Sequence, residues 1–332
     1  MKAFIVDRYR SNSALRLGEM PEPEVGDHDV LVAIHAAGLN QLDAKLRDGE
    51  FKRILPYRLP LILGNDVAGV VVRVGSKVRG FKSGDEVYAR PSQDRIGTFA
   101  ERIAMHEADV ALKPRNLTME EAASIPLVGL TAWQVFERVQ LKKGQKVLIH
   151  AGSGGVGTFA IQLAKHLGAT VATTTSTENI DLVRSLGADV VVDYKKDDFA
   201  TILTGYDVVL NSLGKDTLEK SLQVLKPGGK LISISGPPDP AFAKESGLNG
   251  LLKEVMRLLS ARIRRKARRQ GVSYAFHFMR ADGAQLSRIT ALIEAGALRP
   301  VLDRVFPFLA TNQAMDYLAT GRAKGKVVIR AG

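Results

Sequence analysis

The chain has 332 residues, of which 45% are hydrophobic and 25% charged, and a chain of this length typically folds into about two domains. It contains 0 Cys, which excludes disulfides, thiolate nucleophiles, iron–sulfur clusters and cysteine-ligated zinc sites. The net charge of +12 favours weak attraction to phosphates, nucleic acid and acidic membrane surfaces.

The first third of the chain predicts a β-rich domain. Short apolar or alternating runs, separated by glycine and proline, lie at residues 2–7, 29–38, 66–75, 84–88 and 97–105. The first run predicts a strand rather than a signal peptide, and no stretch has the roughly 20 apolar residues of a membrane span. We therefore expect a cytoplasmic protein.

The pattern changes near residue 120, where helices and strands begin to alternate. Thr118 and Glu121 have the spacing of a capping box, which predicts the start of a helix. Strands are then expected at residues 146–150, 170–174, 190–193, 207–211 and 230–235, and helices at 129–138, 158–167 and 179–186. This alternation predicts βαβ units and a doubly wound parallel sheet, so the fold class is α/β.

Residues 150–157, His-Ala-Gly-Ser-Gly-Gly-Val-Gly, carry the strongest functional signal. They contain the G-x-G-x-x-G pattern between an apolar strand and an apolar-periodic helix, which is the context of a dinucleotide-binding loop rather than of a simple turn. The helix N-terminus would attract the pyrophosphate. The cofactor contacts predicted here are Gly152, Ser153, Gly154, Gly155, Val156 and Gly157.

The end of the next predicted strand favours NADP(H) over NAD. NAD-binding proteins carry an acidic residue at this point, whereas this chain has Thr174, Thr175 and Ser176, whose hydroxyls leave room for a 2′-phosphate. Tyr194, after the third strand, is expected to pack on the adenosine. Glu178 lies close by and would repel the phosphate unless its side chain points away.

A basic segment supplies much of the net charge. Residues 253–269 contain eight basic side chains and one acidic side chain, and apolar residues recur at helical spacing over 248–263. Such a segment favours a solvated surface helix, a helix on an anionic membrane surface or a nucleic-acid contact. Few aromatic residues are available for base stacking, which argues against nucleic acid.

Three motifs, taken together, resemble the medium-chain dehydrogenase/reductase superfamily: Ala-Gly-Leu-Asn-Gln-Leu-Asp at residues 37–43, Gly-Asn-Asp-Val-Ala-Gly-Val-Val at 64–71, and the glycine loop. The resemblance implies an N-terminal GroES-like β-barrel catalytic domain and a Rossmann domain. We place the first at residues 1–122, completed by 282–332, and the second at 123–281, with a basic helical segment at 248–270. A homodimer is also implied.

The chain departs from the zinc-dependent members of that superfamily. Those members carry Cys where this chain has Asn40, and His-Glu where it has Asn65 and Asp66. We therefore expect no metal, and the chain resembles the quinone-oxidoreductase-like and enone-reductase-like branch. This resemblance implies hydride transfer from NADPH to a quinone or an α,β-unsaturated carbonyl. The alternative is an NADPH-binding protein with a regulatory or interaction role through residues 253–269.

The catalytic candidates lie in the first domain. Asn40 lies on the loop where the family binds nicotinamide and substrate, and its alternative role is to cap that loop. Asp43 is expected to order the same loop. Tyr57 and Lys52, in a polar and proline-bounded stretch, are candidates to donate a proton or hydrogen bond to the substrate carbonyl; otherwise they are solvated surface residues.

Further cofactor contacts are expected outside the glycine loop. Thr131 matches a family stretch that approaches the cofactor, and helix packing is its alternative. Asn211 ends a strand at the cofactor edge, where a backbone contact is favoured, and Ser235 is expected to flank the nicotinamide. Phe276 and Phe278 share one face of a predicted strand at 272–279, where they flank the nicotinamide or pack in the core.

Overall fold

A computed structural model describes residues 1–331, which divide into two compact units. Unit 1 comprises Met1–Leu130 and the described chain from Arg280 onward, and unit 2 is Thr131–Met279. The domain borders expected from the sequence lie between residues 122 and 123 and between residues 281 and 282. They assign the whole of helix α3 (Pro126–Val139) to the second domain. In the structure that helix begins in unit 1 and continues in unit 2.

Unit 1 is built on two sheets. Its strands are β1 (Lys2–Val6), β2 (Arg16–Glu19), β3 (Asp29–Gly38), β4 (Leu61–Ile62), β5 (Val67–Val74), β6 (Glu86–Ala89), β7 (Arg102–His106), β8 (Val110–Leu112), β15 (Leu302–Pro307) and β16 (Lys326–Arg330). One sheet has the order β2-β1-β4. The larger has the order β15-β16-β3-β5-β6-β8, with β7 paired to β3. The C-terminal strand β16 pairs antiparallel with β3, so the end of the chain completes the N-terminal sheet.

Four helices lie wholly in unit 1: α1 (Gln41–Asp48), α2 (Met119–Ala123), α11 (Gly283–Glu294) and α12 (Thr311–Ala319). The predicted capping box begins α2, where the backbone N–H of Glu121 donates to the Thr118 hydroxyl and that of Thr118 to the Glu121 carboxylate. The core of the unit buries the apolar faces of β3 and β5 together with Phe4, Phe99 and Met315.

Unit 2 is a doubly wound domain. Its strands are β9 (Lys146–Ile149), β10 (Thr170–Thr175), β11 (Val190–Asp193), β12 (Tyr206–Asn211), β13 (Leu225–Ser233) and β14 (Ser273–Phe276). All pair in parallel in the order β11-β10-β9-β12-β13-β14, which is the Rossmann order 3-2-1-4-5-6. The order reverses between β9 and β12, where such folds bind their ligands, and the predicted doubly wound sheet is confirmed.

The helices of unit 2 connect these strands: α4 (Gly155–His166), α5 (Ile180–Ser185), α6 (Phe199–Ile202), α7 (Lys215–Lys220), α8 (Pro240–Glu245), α9 (Gly250–Leu259) and α10 (Ala261–Arg269). Apolar residues of the sheet pack against α10, whose Ile263 and Ala267 are buried in the core of the unit. Among residues 1–331, the longest apolar helical stretches fall short of what a bilayer crossing requires.

Three predicted elements differ from the structure. The strand expected at 97–105 is shortened to β7, because the backbone of residues 99–101 forms hydrogen bonds with Lys2 and Phe4 of β1 instead. The strand expected at 272–279 is only β14, so Phe278 lies beyond it. The helix expected at 248–263 is two helices, which meet at Ser260.

Candidate active site

The glycine loop of unit 2 packs so closely that side chains are excluded at two of its positions. A Cβ on Gly152 would lie 2.1 Å from the Thr173 hydroxyl oxygen of β10, and one on Gly157 would lie 2.3 Å from the carbonyl oxygen of Ala151. Gly154 is less crowded, since its nearest neighbour would be 3.3 Å away. The two crowded glycines therefore shape the turn, while Gly154 leaves one side open for a ligand.

The N-terminus of α4 has no side chain to satisfy its backbone donors, because its N-cap residue is Gly154. Among the described residues, the N–H groups of Gly155, Val156 and Gly157 have no hydrogen-bond acceptor. Such donors at the positive end of a helix dipole are suited to a phosphate group. Ala151 precedes them with a φ of 53°, a conformation that few residues other than glycine adopt.

His150 fixes the base of this loop. Its Nδ1 lies 3.1 Å from the Thr174 hydroxyl and its Nε2 lies 2.9 Å from the Ser221 hydroxyl. Burial lowers the pKa of His150 to about 3, so the ring is neutral. Thr174 also accepts a hydrogen bond from the N–H of Ala151. Thr174 is buried, and its hydroxyl therefore supports the loop from below.

The tip of β10 carries hydroxyls and a pair of opposite charges. The Thr175 hydroxyl donates to that of Ser153 at 3.1 Å, and the Asn179 amide donates to Ser176 at 3.0 Å. Lys195 donates to the Glu178 carboxylate, which lowers the pKa of Glu178 to about 2. The acid that would oppose a phosphate is therefore paired with a lysine.

Sequence reasoning missed Lys195. The signal was available, because β11 pairs in parallel with β10 and Thr175 lies opposite Asp193, so the residues that follow β11 must reach the tip of β10. Tyr194, one residue earlier, is 61% exposed and free to pack against a ligand. Both side chains stand at the edge where parallel sheets bind nucleotides.

Asn211 ends β12 beside the point where the strand order reverses. Its side-chain oxygen accepts hydrogen bonds from the N–H of Leu213 and from the Ser233 hydroxyl, both at 3.2 Å. Its side-chain nitrogen is buried without an acceptor among residues 1–331. An orphaned buried donor at this place, together with the free N–H groups of α4, fits a bound dinucleotide.

The other predicted contacts in unit 2 vary in exposure. Ser235 donates to the carbonyl oxygen of Leu213 at 2.7 Å and lines a pocket of about 310 Å³. Thr131 is buried on α3. Phe276 and Phe278 both contact Phe242 of α8. The centroid of the Phe242 ring lies 5.1 Å from that of Phe276 and 5.9 Å from that of Phe278. These aromatic contacts match the core-packing alternative, and the nicotinamide contacts of both rings stay predictions.

In unit 1, the predicted residue Asn40 belongs to a buried charge cluster. The ammonium of Lys326 donates to the Asn40 side-chain oxygen at 2.6 Å, to the Leu39 carbonyl oxygen at 2.9 Å and to the Asp66 carboxylate at 2.9 Å. The Asn40 side-chain nitrogen donates to the same carboxylate oxygen at 2.9 Å. Both ends of the Asn40 amide are therefore held, and its orientation is fixed.

Asp43 fixes the backbone of the same loop. It accepts hydrogen bonds from the backbone N–H of Asn40 and from the Asn65 side chain, each at 2.7 Å. Burial raises the pKa of Asp43 to about 7, although both hydrogen bonds oppose that shift. This contact is the loop-ordering role expected for Asp43. Lys326 was not identified from the sequence as a member of this cluster.

These residues do not fit a catalytic zinc ion. Asn40 and Asp66 occupy positions where zinc-dependent members of the superfamily carry Cys and Glu, and here the Lys326 ammonium binds both. A dication would meet that buried positive charge. Among the described residues, no group of three or more His, Asp or Glu side chains is placed to hold a metal ion.

Tyr57 lies close enough to the buried cluster for the charge of Asp43 to affect the Tyr57 hydroxyl. Burial raises the pKa of Tyr57 to about 12, Arg90 opposes the shift and Asp43 adds to it. The hydroxyl donates to the Gln93 carbonyl oxygen. Arg90 itself is buried, and its Nε has no acceptor among the described residues. Lys52 is exposed, and the structure does not bring it into this network.

Two family models match the chain: one described as an alcohol dehydrogenase GroES-like domain over residues 26–115, and one described as a zinc-binding dehydrogenase over residues 186–329. The NADPH-dependent alkenal/one oxidoreductase of Arabidopsis thaliana is 37% identical, over 99% of this chain and 79% of that protein. The 2-methylene-furan-3-one reductase of Solanum lycopersicum is 38% identical over the same shares. The solved quinone oxidoreductase of Coxiella burnetii is 31% identical, with a TM-score of 0.87 and 99% of each chain covered.

Replacing Lys326 by methionine should destabilise the protein by about 3–5 kcal/mol, because Asp66 is left buried and unpaired. Urea unfolding measures the change. Lys165→Met breaks the exposed pair with Asp189 and should cost less than about 1 kcal/mol. Adding Asp66→Asn to Lys326→Met should restore part of the loss. Equal losses for the two lysine variants would contradict the buried cluster.

His150 makes the free energy of unfolding depend on pH. Because its folded-state pKa lies below the ordinary 6.5, the stabilisation is complete above pH 6.5 and is lost as the pH falls towards 3. Between pH 7 and pH 5, the wild type should lose about 2 kcal/mol relative to His150→Asn. His166→Asn, at an exposed ring, is the control. A pH-independent difference for His150→Asn would contradict a buried neutral imidazole.

Proposed function

Since the chain belongs to the medium-chain dehydrogenase/reductase superfamily, in its quinone and enone reductase branch, we propose that it is an NADPH-dependent oxidoreductase of quinones and α,β-unsaturated carbonyls. The resemblance based on the three motifs is confirmed, as is the α/β fold class with a GroES-like and a Rossmann domain. The relatives are named as oxidoreductases and give no support to the regulatory alternative.

The observation that carries the choice of cofactor is the glycine-capped start of α4 beside the β10 tip, where Lys195 neutralises Glu178 among hydroxyl groups. The free N–H groups of α4 would bind the pyrophosphate. Lys195, with Ser176 and Thr175, would bind the 2′-phosphate, and Tyr194 would pack on the adenine. Asn211 would donate its unpaired N–H towards the nicotinamide end. When bound, NADPH supplies the hydride.

The residues of unit 1 would orient the acceptor and stabilise the charge that develops on it. Reduction of an enone adds a hydride at the β-carbon, turns the carbonyl oxygen into an enolate oxygen, and ends when the α-carbon takes a proton. With a pKa of about 12, Tyr57 is a neutral phenol at physiological pH. Its hydroxyl can donate a hydrogen bond to that oxygen if it turns away from the Gln93 carbonyl oxygen, which accepts from it in the structure. Lys52 is the alternative donor. Asn40, held by Lys326 and Asp66, would position the nicotinamide or acceptor.

We also propose that the protein is a homodimer and that it is located in the cytoplasm. The dimer is what membership of this branch implies, and analytical ultracentrifugation of the purified chain tests it. No metal enters the proposed reaction, because Lys326 already supplies the positive charge between Asn40 and Asp66.

The proposed activity predicts which acceptors the protein reduces. Loss of the NADPH absorbance should occur with a quinone or a short alkenal and not with a saturated aldehyde, because only the first two accept a hydride at a conjugated carbon. A parallel series with NADH measures cofactor preference. Reduction of the saturated aldehyde alone, or tight NADPH binding without turnover of any acceptor, would overturn the proposal.

Lys195→Ala should reduce kcat/KM for NADPH by roughly tenfold to a hundredfold, because a charged hydrogen bond to the 2′-phosphate is lost. The value for NADH should stay close to that of the wild type. Lys220→Ala, which removes a similarly exposed lysine paired with Asp198, is the matched control. Equal effects of Lys195→Ala on both cofactors would show that the lysine does not bind the phosphate.

A further inference from the structure

Helix α9 exposes an unusually apolar face. Leu251, Val255, Leu258 and Leu259 are 75%, 42%, 68% and 59% exposed, respectively. At 100° per residue these four positions fall within an arc of roughly 100°, so they form one continuous stripe. Elsewhere in the protein, exposed large apolar residues are more scattered. A stripe of four is a surface that favours a partner.

The following helix, α10, anchors this stripe to unit 2. Ile263 and Ala267 are buried in the core of the unit. Arg262 and Lys266 both form ion pairs with Glu219 of α7. At the junction, Ser260 is fully buried and accepts a hydrogen bond from Arg264 at 3.1 Å. The exposed stripe therefore lies on a helix that is joined at Ser260 to an anchored neighbour, and Met256 of α9 itself is buried.

Unpaired positive charge lies on the same two helices as the stripe. Lys253, Arg265, Arg268 and Arg269 are exposed, and none of them has an ion pair within residues 1–331. No acidic side chain other than Glu254 lies between residues 250 and 269, and Glu254 is paired with Arg257. A partner of this surface must therefore offer both an apolar region and negative charge.

We propose that residues 250–269 form a docking surface for an anionic lipid bilayer. Leu251, Val255, Leu258 and Leu259 would enter the boundary between headgroups and acyl chains. The unpaired Arg265, Arg268 and Arg269 of α10 would contact the anionic headgroups. The proposal concerns attachment alone and does not depend on which acceptor is reduced.

Other partners fit this surface less well. A two-fold contact with a second copy would bring the unpaired cations of both chains together, which opposes association. A nucleic acid would satisfy the cations and leave the leucines in water. Single strands are bound by stacking on aromatic side chains, and residues 250–269 contain none.

Flotation with lipid vesicles tests the proposal on the full chain. Binding should be strong to vesicles of phosphatidylcholine and phosphatidylglycerol in equal amounts, and weak to phosphatidylcholine alone. Leu251→Gln with Leu258→Gln should weaken binding at least about tenfold. Arg265→Gln, Arg268→Gln and Arg269→Gln together should weaken it on the order of a hundredfold, since each cation contributes about fivefold.

Matched variants separate this surface from the general charge of the protein. Ile202→Gln with Leu309→Gln removes two other exposed apolar side chains, and Arg8→Gln, Arg73→Gln and Arg322→Gln remove three other cations. Both controls should bind vesicles as the wild type does. All variants should oxidise NADPH with a water-soluble acceptor at the wild-type rate, so failure of docking is distinguishable from failure of the activity.

Several results would overturn the proposal. Vesicle binding that survives the leucine substitutions, or that the control cation substitutions weaken equally, would mean general electrostatic attraction. Equal binding to neutral and to anionic vesicles would show that the cations do not contribute to docking. Self-association lost in the leucine variant, without vesicle binding, would assign the surface to a second copy. Tight oligonucleotide binding that the leucine variant retains, without vesicle binding, would assign it to nucleic acid.

Discussion

The buried ion pair between Lys326 and Asp66 holds together three parts of unit 1 that are distant in sequence. The lysine opens the last strand, the aspartate directly precedes β5, and the loop at Leu39 and Asn40 follows β3. Removing two charges from water is costly, and the cost is recovered only when each partner has further hydrogen bonds. Here the ammonium has three acceptors, and Asp66 also accepts from the N–H of Leu127 at 2.7 Å.

This pair also determines what kind of chemistry the loop supports. In zinc-dependent relatives, a metal ion polarises the substrate oxygen. In this chain the equivalent positions hold an ammonium ion that is fixed in the protein and already saturated with acceptors. Charge on a reduced acceptor must therefore be stabilised by hydrogen bonds, and Tyr57 and Lys52 are the donors we propose. Asn40 contributes through a fixed orientation rather than through a free amide.

Local patterns in the sequence predicted much of this structure. The glycine loop, the parallel strands and the capping box at Thr118 depend on residues within a few positions of one another, and they were predicted correctly. Lys326 could not be placed this way, because its partner Asp66 is 260 residues away in the chain. Lys195 was missed for a similar reason, since its closeness to Glu178 follows from the pairing of β10 and β11. The separation of α9 from α10 at Ser260 also depends on tertiary packing, since the apolar spacing runs on through it.

Transfer of deuterium from NADPH deuterated at nicotinamide C4 tests the central claim most directly. With a short alkenal as acceptor, mass spectrometry and NMR locate the label in the product. Hydride transfer to a conjugated carbon predicts deuterium at the β-carbon, and a proton from solvent at the α-carbon. Label at the carbonyl carbon would indicate an alcohol-forming carbonyl reduction instead. Label in neither place, while NADPH is consumed, would contradict direct hydride transfer to the acceptor.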